Sequence, residues 1–413
     1  MTRKPLYTGT LYWPTTLGSV PAYEPLGAQH QQFDAVVVGG GMSGILCGHA
    51  LAASGIRTAI VERGDIAGSA SSASTGLIQF SNDIMLSELI DQIGERKAVM
   101  FYTACRQAVE HLAALTGKLV ADCGFKRRSS LYFASTEQDV PKLKQEYETL
   151  RRCGFDVEWW PSNTIRQHFP FSKPSAIVTH GDAELNPYRF IHRIAEDGVA
   201  AGLTIYEHTE IVAHDSADGV HRLTAADGGS LTCSNVVFAV GYEPDALCGQ
   251  LIKSNLNRSF VLVTEPQSSS FDVWHERFMI WETARPYLYM RTTSDNRIII
   301  GGLDEEPPVP IVGRHARTER IEALYRLLRQ LFPTMTAPIA YEWSATFGES
   351  RDGLPFIGRD PARTGVYYSL GYGGNGTVYS VMASQLIRDM IHRETPPLAD
   401  IVALDRTTIR SMP

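Results

Sequence analysis

Gly39, Gly41 and Gly44 follow the spacing G-x-G-x-x-G immediately behind the apolar, β-branched run FDAVVV at 33–38. The first glycine of such a set allows a tight turn, the second lets the backbone approach a pyrophosphate, and the third lets helix and strand pack closely. A helix that opens at this point presents unpaired N–H groups to the negative charge. Helical spacing continues through 42–54 and stops at Gly55, before a second buried strand, TAIVE, that ends in Glu62. A carboxylate there accepts hydrogen bonds from ribose hydroxyls. Strand, glycine turn, helix and strand make one βαβ unit, and with the acid in place they predict dinucleotide binding.

A nicotinamide enzyme needs this motif and little else, whereas the chain adds three features. Behind Glu62 and Arg63 lies a loop of small and hydroxyl-bearing residues, Gly68 to Gly76, which includes Ser69, Ala70, Ser71, Ser72 and Ser74. A further apolar strand, VVFAV at 236–240, contains Ala239 and ends at Gly241. The turn Gly371-Tyr372-Gly373-Gly374-Asn375-Gly376 then precedes Thr377 and a helical pattern. That last turn is suited to aim N–H groups and a helix dipole at a developing anion.

These residues need elements to position them. A chain of 413 residues is long enough for two or three domains. Hydrophobic residues make up 44% and charged residues 20%, a balance that buries enough apolar surface to argue against disorder. The formal net charge of −7 argues against a nucleic-acid partner. Six scattered cysteines form no CxxC pair, so no metal is expected and the chain reads as reduced and cytoplasmic. No stretch reads as a signal peptide or a membrane span.

Residues 1–32 carry Tyr7, Tyr12, Trp13 and Tyr23 without a period, and are expected to lie as an arm on the main body. Helices are expected near 85–116, 137–152, 187–201, 315–332 and 377–393, the third with Asn186 as its cap and Pro187 at its first position. Strands are expected at 203–213, 220–225 and 230–240. Between 256 and 302 the runs RSFVLVTE, YLYMRTT and RIIIGG read as antiparallel, joined partly through Ser294-Asp295-Asn296. The expected fold is α/β, or α+β overall. A Rossmann-type, doubly wound domain from 33–116, 187–250 and 341–413 interleaves with an antiparallel-sheet domain from 117–186 and 251–340.

Taken in order, VVVGGGMSG, VERGDIAGSASSAS, ELNPYRF, VVFAVG, YLYMRTTSDNRIIIGG, DGLPFIG and GYGGNG resemble the D-amino-acid oxidase / glycine oxidase superfamily of FAD-dependent oxidoreductases. Within it, the chain is similar to the γ-glutamylputrescine oxidase-like branch, and the aromatic arm shares in the likeness. The resemblance covers almost the whole chain and implies FAD. By it, Gly39, Gly41, Met42, Ser43 and Gly44 cradle the pyrophosphate, and Glu62 with Arg63 holds the adenosine ribose. Ser69, Ala70, Ser71, Ser72 and Ser74 line the ribityl and phosphate side. Val212 offers backbone contacts to adenine, and Ala239 and Gly241 close near the ADP part. Gly348 and the turn from Gly371 through Tyr372, Gly373, Gly374, Asn375 and Gly376 to Thr377 cap the flavin.

Departures from the family pattern bear on the substrate. The stretch before DGLP normally supplies an arginine that pairs with a substrate carboxylate, but five residues before Asp352 stands Phe347, which cannot form that clamp. The cysteine that tethers FAD in sarcosine oxidases is matched by Ala345, and the early loop has no histidine, so noncovalent FAD is expected. Lysines that sarcosine oxidases keep over the flavin and in the C-terminal turn are matched by Ile299 and Val378, so oxygen and another electron acceptor both stay open. Alternation sets Tyr287, Tyr289 and Arg291 on one side of a strand that the resemblance places at the flavin face. These three are the expected substrate-site residues, with Arg291 on the carboxylate; a surface arginine among stacking tyrosines is the alternative. Arg285, Arg258 and Glu349 rank behind them, and His49 and His180 read as structural.

The resulting expectation is oxidation of a small amine or amino acid. A hydride leaves the carbon next to nitrogen for flavin N5, the imine hydrolyses, and Tyr287, Tyr289, Trp343 and Phe347 desolvate the uncharged amine. Two alternatives remain. One is a flavin dehydrogenase of a hydroxy acid that passes electrons to a non-oxygen acceptor, which requires a general base. The other is a flavin-bearing subunit of a larger complex.

Overall fold

The computed structural model describes residues 6–241, 254–268, 271–306, 313–370 and 373–410. Among them the strands form three sheets. Ala35–Val38 lies in the middle of a six-stranded sheet, parallel to Thr58–Val61 on one side and Asn235–Phe238 on the other. Thr204–Tyr206 extends it in parallel beyond Thr58–Val61, and Val366–Leu370 beyond Asn235–Phe238. Phe356–Arg359 closes one edge antiparallel. Every residue of Ala35–Val38 and Thr58–Val61 is buried, as strands covered on both faces require. The helices Met42–Ala53 and Gly376–Ile391 pack against each other beside this sheet, so two of the expected ligand-binding turns meet there.

The second sheet is mainly antiparallel and has ten strands among the described residues. Ser254–Thr264 pairs with both Ile298–Glu305 and Ile339–Ser350, and Leu288–Thr292 follows on Ile298–Glu305. Alternation splits these strands between two environments. Phe260, Leu262, Met290 and Ile300 pack under Ile321, Leu324 and Leu328 of the helix Arg314–Leu331. Ser259, Val261 and Tyr289 face the other way, toward the six-stranded sheet. A small third sheet joins Ile211–Ala217, Val220–Ala225, Ser230–Cys233 and His30–Gln32.

Several boundaries differ from the sequence reading. Residues 341–350 lie with the large sheet, because Ile339–Ser350 pairs along its length with Ser254–Thr264. Leu77–Ile78 also joins that sheet by pairing with Ser175–Glu184. The helix expected over 85–116 breaks at Gly94, whose φ of 84° ends Leu86–Ile93 before Glu95–Thr116 begins. The arm does lie on the body. Tyr7–Thr10 pairs with Ile339–Ser350, and Tyr12 and Trp13 are buried. Asn186 caps Pro187–Ala200 by accepting from the Arg189 N–H at 3.0 Å. Among the described residues no helix is long and apolar enough to cross a membrane.

Candidate active site

The two large sheets face each other across a cleft of about 600 Å³, a size typical of ligand sites. The glycine turn forms part of one wall, and its glycines are sterically required. Gly39 has φ 114°, and a Cβ there would lie 2.4 Å from the Ala239 carbonyl oxygen. A Cβ on Gly44 would lie 1.8 Å from the Gly39 carbonyl oxygen. Gly41 begins the helix Met42–Ala53 with no side chain to cap it, and Ser71 Oγ accepts from the Met42 N–H at 2.9 Å. Glu62 is fixed by its own backbone neighbours: Oε2 accepts from the Gly40 N–H at 2.6 Å and Oε1 from the Gly64 N–H at 2.9 Å. Turn, hydroxyl loop and acid thus form one polar surface.

The C-terminal turn enters the same cleft. Asp83 Oδ2 accepts from the Gly374 N–H at 2.7 Å, and Asn375 Nδ2 donates to Asn82 Oδ1 at 2.9 Å. Tyr379 donates to the same Asn82 oxygen at 2.8 Å. These bonds anchor the start of Gly376–Ile391 with its N–H groups toward the cleft.

Of the residues singled out from sequence, Gly39, Gly41, Met42, Ser43, Glu62, Arg63, Ser69, Ala70, Ser71 and Ser74 line the cleft. So do Ala239, Gly241, Gly373, Gly374, Asn375, Gly376 and Thr377, together with Tyr287 and Tyr289. Others do not. Gly44 is beneath the turn, where it permits close packing. The Ser72 hydroxyl is buried and donates to the Ala67 carbonyl. Val212 sits at a β-bulge that turns it out to solvent, and Ile211 lines the cleft in its place. Gly348 acts from behind, its carbonyl accepting from the Gly373 N–H at 2.7 Å. Gly371 and Tyr372 lie outside the described residues.

Arg291 is the main correction. It is 3% exposed and does not line the cleft. Its Nε donates to Thr75 O and its Nη2 to Leu185 O, both at 2.8 Å, while Nη1 lies 3.5 Å from Glu184 Oε2. The guanidinium stacks 5.1 Å from the Trp13 ring. Alternation was right about the side of the strand, but Gly76 and the hydroxyl loop cover that side at Arg291. Trp343 is likewise under the loop, its Nε1 donating to Ala73 O at 3.1 Å.

Sequence reasoning missed the polar groups of the opposite wall. Asp304, Ser259, Trp281 and Asp83 line the cleft beside Tyr287, Tyr289 and Phe347. Burial, helped by the nearby Glu349 and Asp83 and opposed by the Ser259 hydroxyl and Arg285, raises the Asp304 carboxyl to about 7. Burial also raises the Glu349 carboxyl and both tyrosine hydroxyls. Trp281 stacks on Tyr132 with centroids 3.7 Å apart. The one available signal was Asp304 closely following Gly301-Gly302, where a strand lacking side chains leaves room for its neighbours.

Residues 34–390 match the family model described as FAD dependent oxidoreductase. The chain is 25% identical to glycine oxidase of Geobacillus kaustophilus (strain HTA426) over 376 residues, 88% of this chain and 94% of the relative. It is 24% identical to gamma-glutamylputrescine oxidoreductase of Escherichia coli (strain K12) over 368 residues, 87% and 83% of the two chains. The crystal structure of glycine oxidase from Geobacillus kaustophilus superposes with a TM-score of 0.79 at 22% identity, covering 91% of this chain and 99% of that one. A strand–turn–helix cradle in which added Cβ atoms would collide, a helix start whose N-cap is glycine and a fixed carboxylate fit the dinucleotide part of FAD. With that cradle and a match spanning most of its length, the chain belongs to the FAD-dependent oxidoreductase family.

Proposed function

We propose that this protein oxidises a C–N bond of a small amine or amino acid, with FAD held noncovalently in the cleft. The observation that carries the reading is the joining of a complete dinucleotide cradle on one sheet with a tyrosine-walled pocket on the other. The names of the relatives, glycine oxidase and gamma-glutamylputrescine oxidoreductase, support the same bond. Ala345 lines the cleft and offers no thiol, and no cysteine is among the described lining residues. The five described cysteines are free, in keeping with a reducing compartment such as the cytoplasm.

Bound flavin supplies a hydride acceptor for the carbon next to nitrogen. The chain does the rest. Gly39, Gly41, Ser43, Ser71 and Glu62 hold the dinucleotide, and the turn at 373–377 holds the cofactor's other end. Tyr287, Tyr289 and Phe347 keep water away from the reacting carbon, and low polarity favours the uncharged amine that hydride loss requires. The released imine then hydrolyses to a carbonyl compound and ammonia or a smaller amine. Arg63 is the one lysine or arginine among the described lining residues, and Ile299 is buried in the core. Oxygen or a second acceptor therefore reoxidises the cofactor without a lysine in the described wall.

Asp304 supplies a group with the pKa of a general base, which the hydroxy-acid alternative demands. Product analysis separates the two. After anaerobic reduction of the holoprotein, C–N oxidation yields one carbonyl and one ammonia or amine per FAD reduced. A carbonyl product with no nitrogen released would overturn the reading in favour of hydroxy-acid oxidation.

A further inference from the structure

We propose that Asp304 receives the substrate nitrogen as an ammonium and takes up its proton before hydride loss, so that the cleft selects amines lacking a carboxylate next to the reacting carbon. The proposal deepens the C–N reading and takes it as the premise for the reaction, although recognition is tested below without turnover. Two buried groups in the cleft have no hydrogen-bond partner. They are Asp304 Oδ1, an acceptor, and Nε1 of Trp281, a donor on a residue only 6% exposed. A buried polar atom left unpaired is costly; an ammonium removes that cost at Asp304 Oδ1, whereas the Trp281 N–H calls for an acceptor elsewhere on the ligand. Asp304 lies on Ile298–Glu305 beside the Ser259 hydroxyl, and Tyr287 and Tyr289 wall the same space.

The carboxylates around that space disfavour the approach of a further one. Asp83 lines the cleft with Asp304, and Glu349 is near enough to raise the Asp304 carboxyl. Arg285 is the cation that faces this group. Its guanidinium lies 4.9 Å from the Tyr287 ring, and Nη1 donates to the Ala284 carbonyl at 3.1 Å. Arg291 is fixed under the hydroxyl loop, and Arg258 pairs with Glu305. An α-amino acid would thus bring its carboxylate toward three others, whereas an ammonium meets opposite charge.

The test uses a shape-matched pair that cannot be oxidised, tert-butylammonium and pivalate, titrated into oxidised holoprotein and read by perturbation of the flavin spectrum. The expected result is cation binding at a concentration at least tenfold below that needed for pivalate. Asp304→Asn should weaken the cation at least tenfold while FAD content stays unchanged. In the unsubstituted protein, cation affinity should rise as pH passes upward through about 7, where Asp304 ionises. Glu349, Asp83, Arg285, Tyr287 and Tyr289 share that field and broaden the transition.

Equal or tighter binding of pivalate, or its loss in Arg285→Ala, would overturn the proposal. So would unchanged cation affinity in Asp304→Asn. The wild-type comparison needs no variant to fold. If the cation binds through Asp304 and yet no amine reduces the flavin, the oxidation reading fails while the recognition stands.

Discussion

Tyr289 owes its place in the cleft to a missing side chain. It pairs across the sheet with Gly301, where a Cβ would fall 2.5 Å from the tyrosine ring. Gly301→Ala therefore displaces the ring, and should slow anaerobic flavin reduction by roughly tenfold or more, about 1.4 kcal/mol of barrier. Tyr289→Phe keeps the wall and should cost less; equal rates for Gly301→Ala and the parent would refute the packing role. Arg291 behaves differently. Arg291→Ala removes one of the two arginines beside buried Glu184, leaving Arg128, and leaves the Thr75 and Leu185 carbonyls without that donor. An expected loss of ~2–4 kcal/mol, mainly from the two orphaned carbonyls, should appear in the denaturation midpoint, with the KM of the folded protein unchanged. A raised KM at constant stability would restore it to the substrate site.

Residues of these two kinds were unequally legible. Gly39, Gly41 and Glu62 could be read because a tight turn imposes its requirements over a few consecutive positions. Asp304, Asp83 and Trp281 come together only through sheet register and a distant turn, which no local spacing encodes. For Arg291 the alternation was readable, but the loop that covers it was not.

At the scale of elements, ion pairs fix the segments that frame the cleft. Arg406 grips Asp352 with two bonds, Nε to Oδ2 at 2.6 Å and Nη2 to Oδ1 at 2.7 Å, and both side chains are buried. The pair ties the C-terminal residues to the end of the strand Ile339–Ser350. Despite burial, the Arg406 guanidinium and its hydrogen bonds hold the Asp352 carboxyl below its ordinary value. A depressed carboxyl stabilises the fold above its unfolded pKa, and that contribution is lost as pH falls through the lower, folded value. Arg406→Ala should then destabilise by ~3–5 kcal/mol at neutral pH and flatten the acid limb of a stability-versus-pH curve. An acid limb unchanged from the parent would show that the pair contributes little. This link joins positions 54 residues apart, so the motif DGLP was visible in sequence while its partner was not. The boundary at 341 failed for a related reason: a twelve-residue strand, Ile339–Ser350, crosses it without a break in composition.

For the whole molecule, the site exists only where two sheets and the N-terminal arm meet. Trp13 Nε1 donates to Ser74 O at 2.6 Å, so the arm holds the hydroxyl loop that lines the cleft. Trp13→Ala should loosen that loop and weaken FAD retention. A ligand bound only by the folded state stabilises it in proportion to log affinity, about 1.4 kcal/mol per tenfold change in Kd. The rise in Tm on adding FAD to apoprotein should accordingly be smaller in Trp13→Ala than in the parent. An identical rise would mean that the arm only covers the sheet edge. The doubly wound sheet and the antiparallel sheet were both legible as repeating patterns, whereas their mutual packing, which makes the cleft, was not.

C–N oxidation in this cleft is tested most directly by adding amines anaerobically to the purified holoprotein and following the visible absorbance of FAD. The panel pairs simple amines and diamines with the matching amino acids and with hydroxy acids, and air is admitted afterwards. Bleaching by the amines, with release of a carbonyl product and nitrogen, is the expected result; the rate of recovery in air then tells an oxidase from a dehydrogenase. Bleaching by hydroxy acids alone, or by none of the amines and amino acids, would contradict the account.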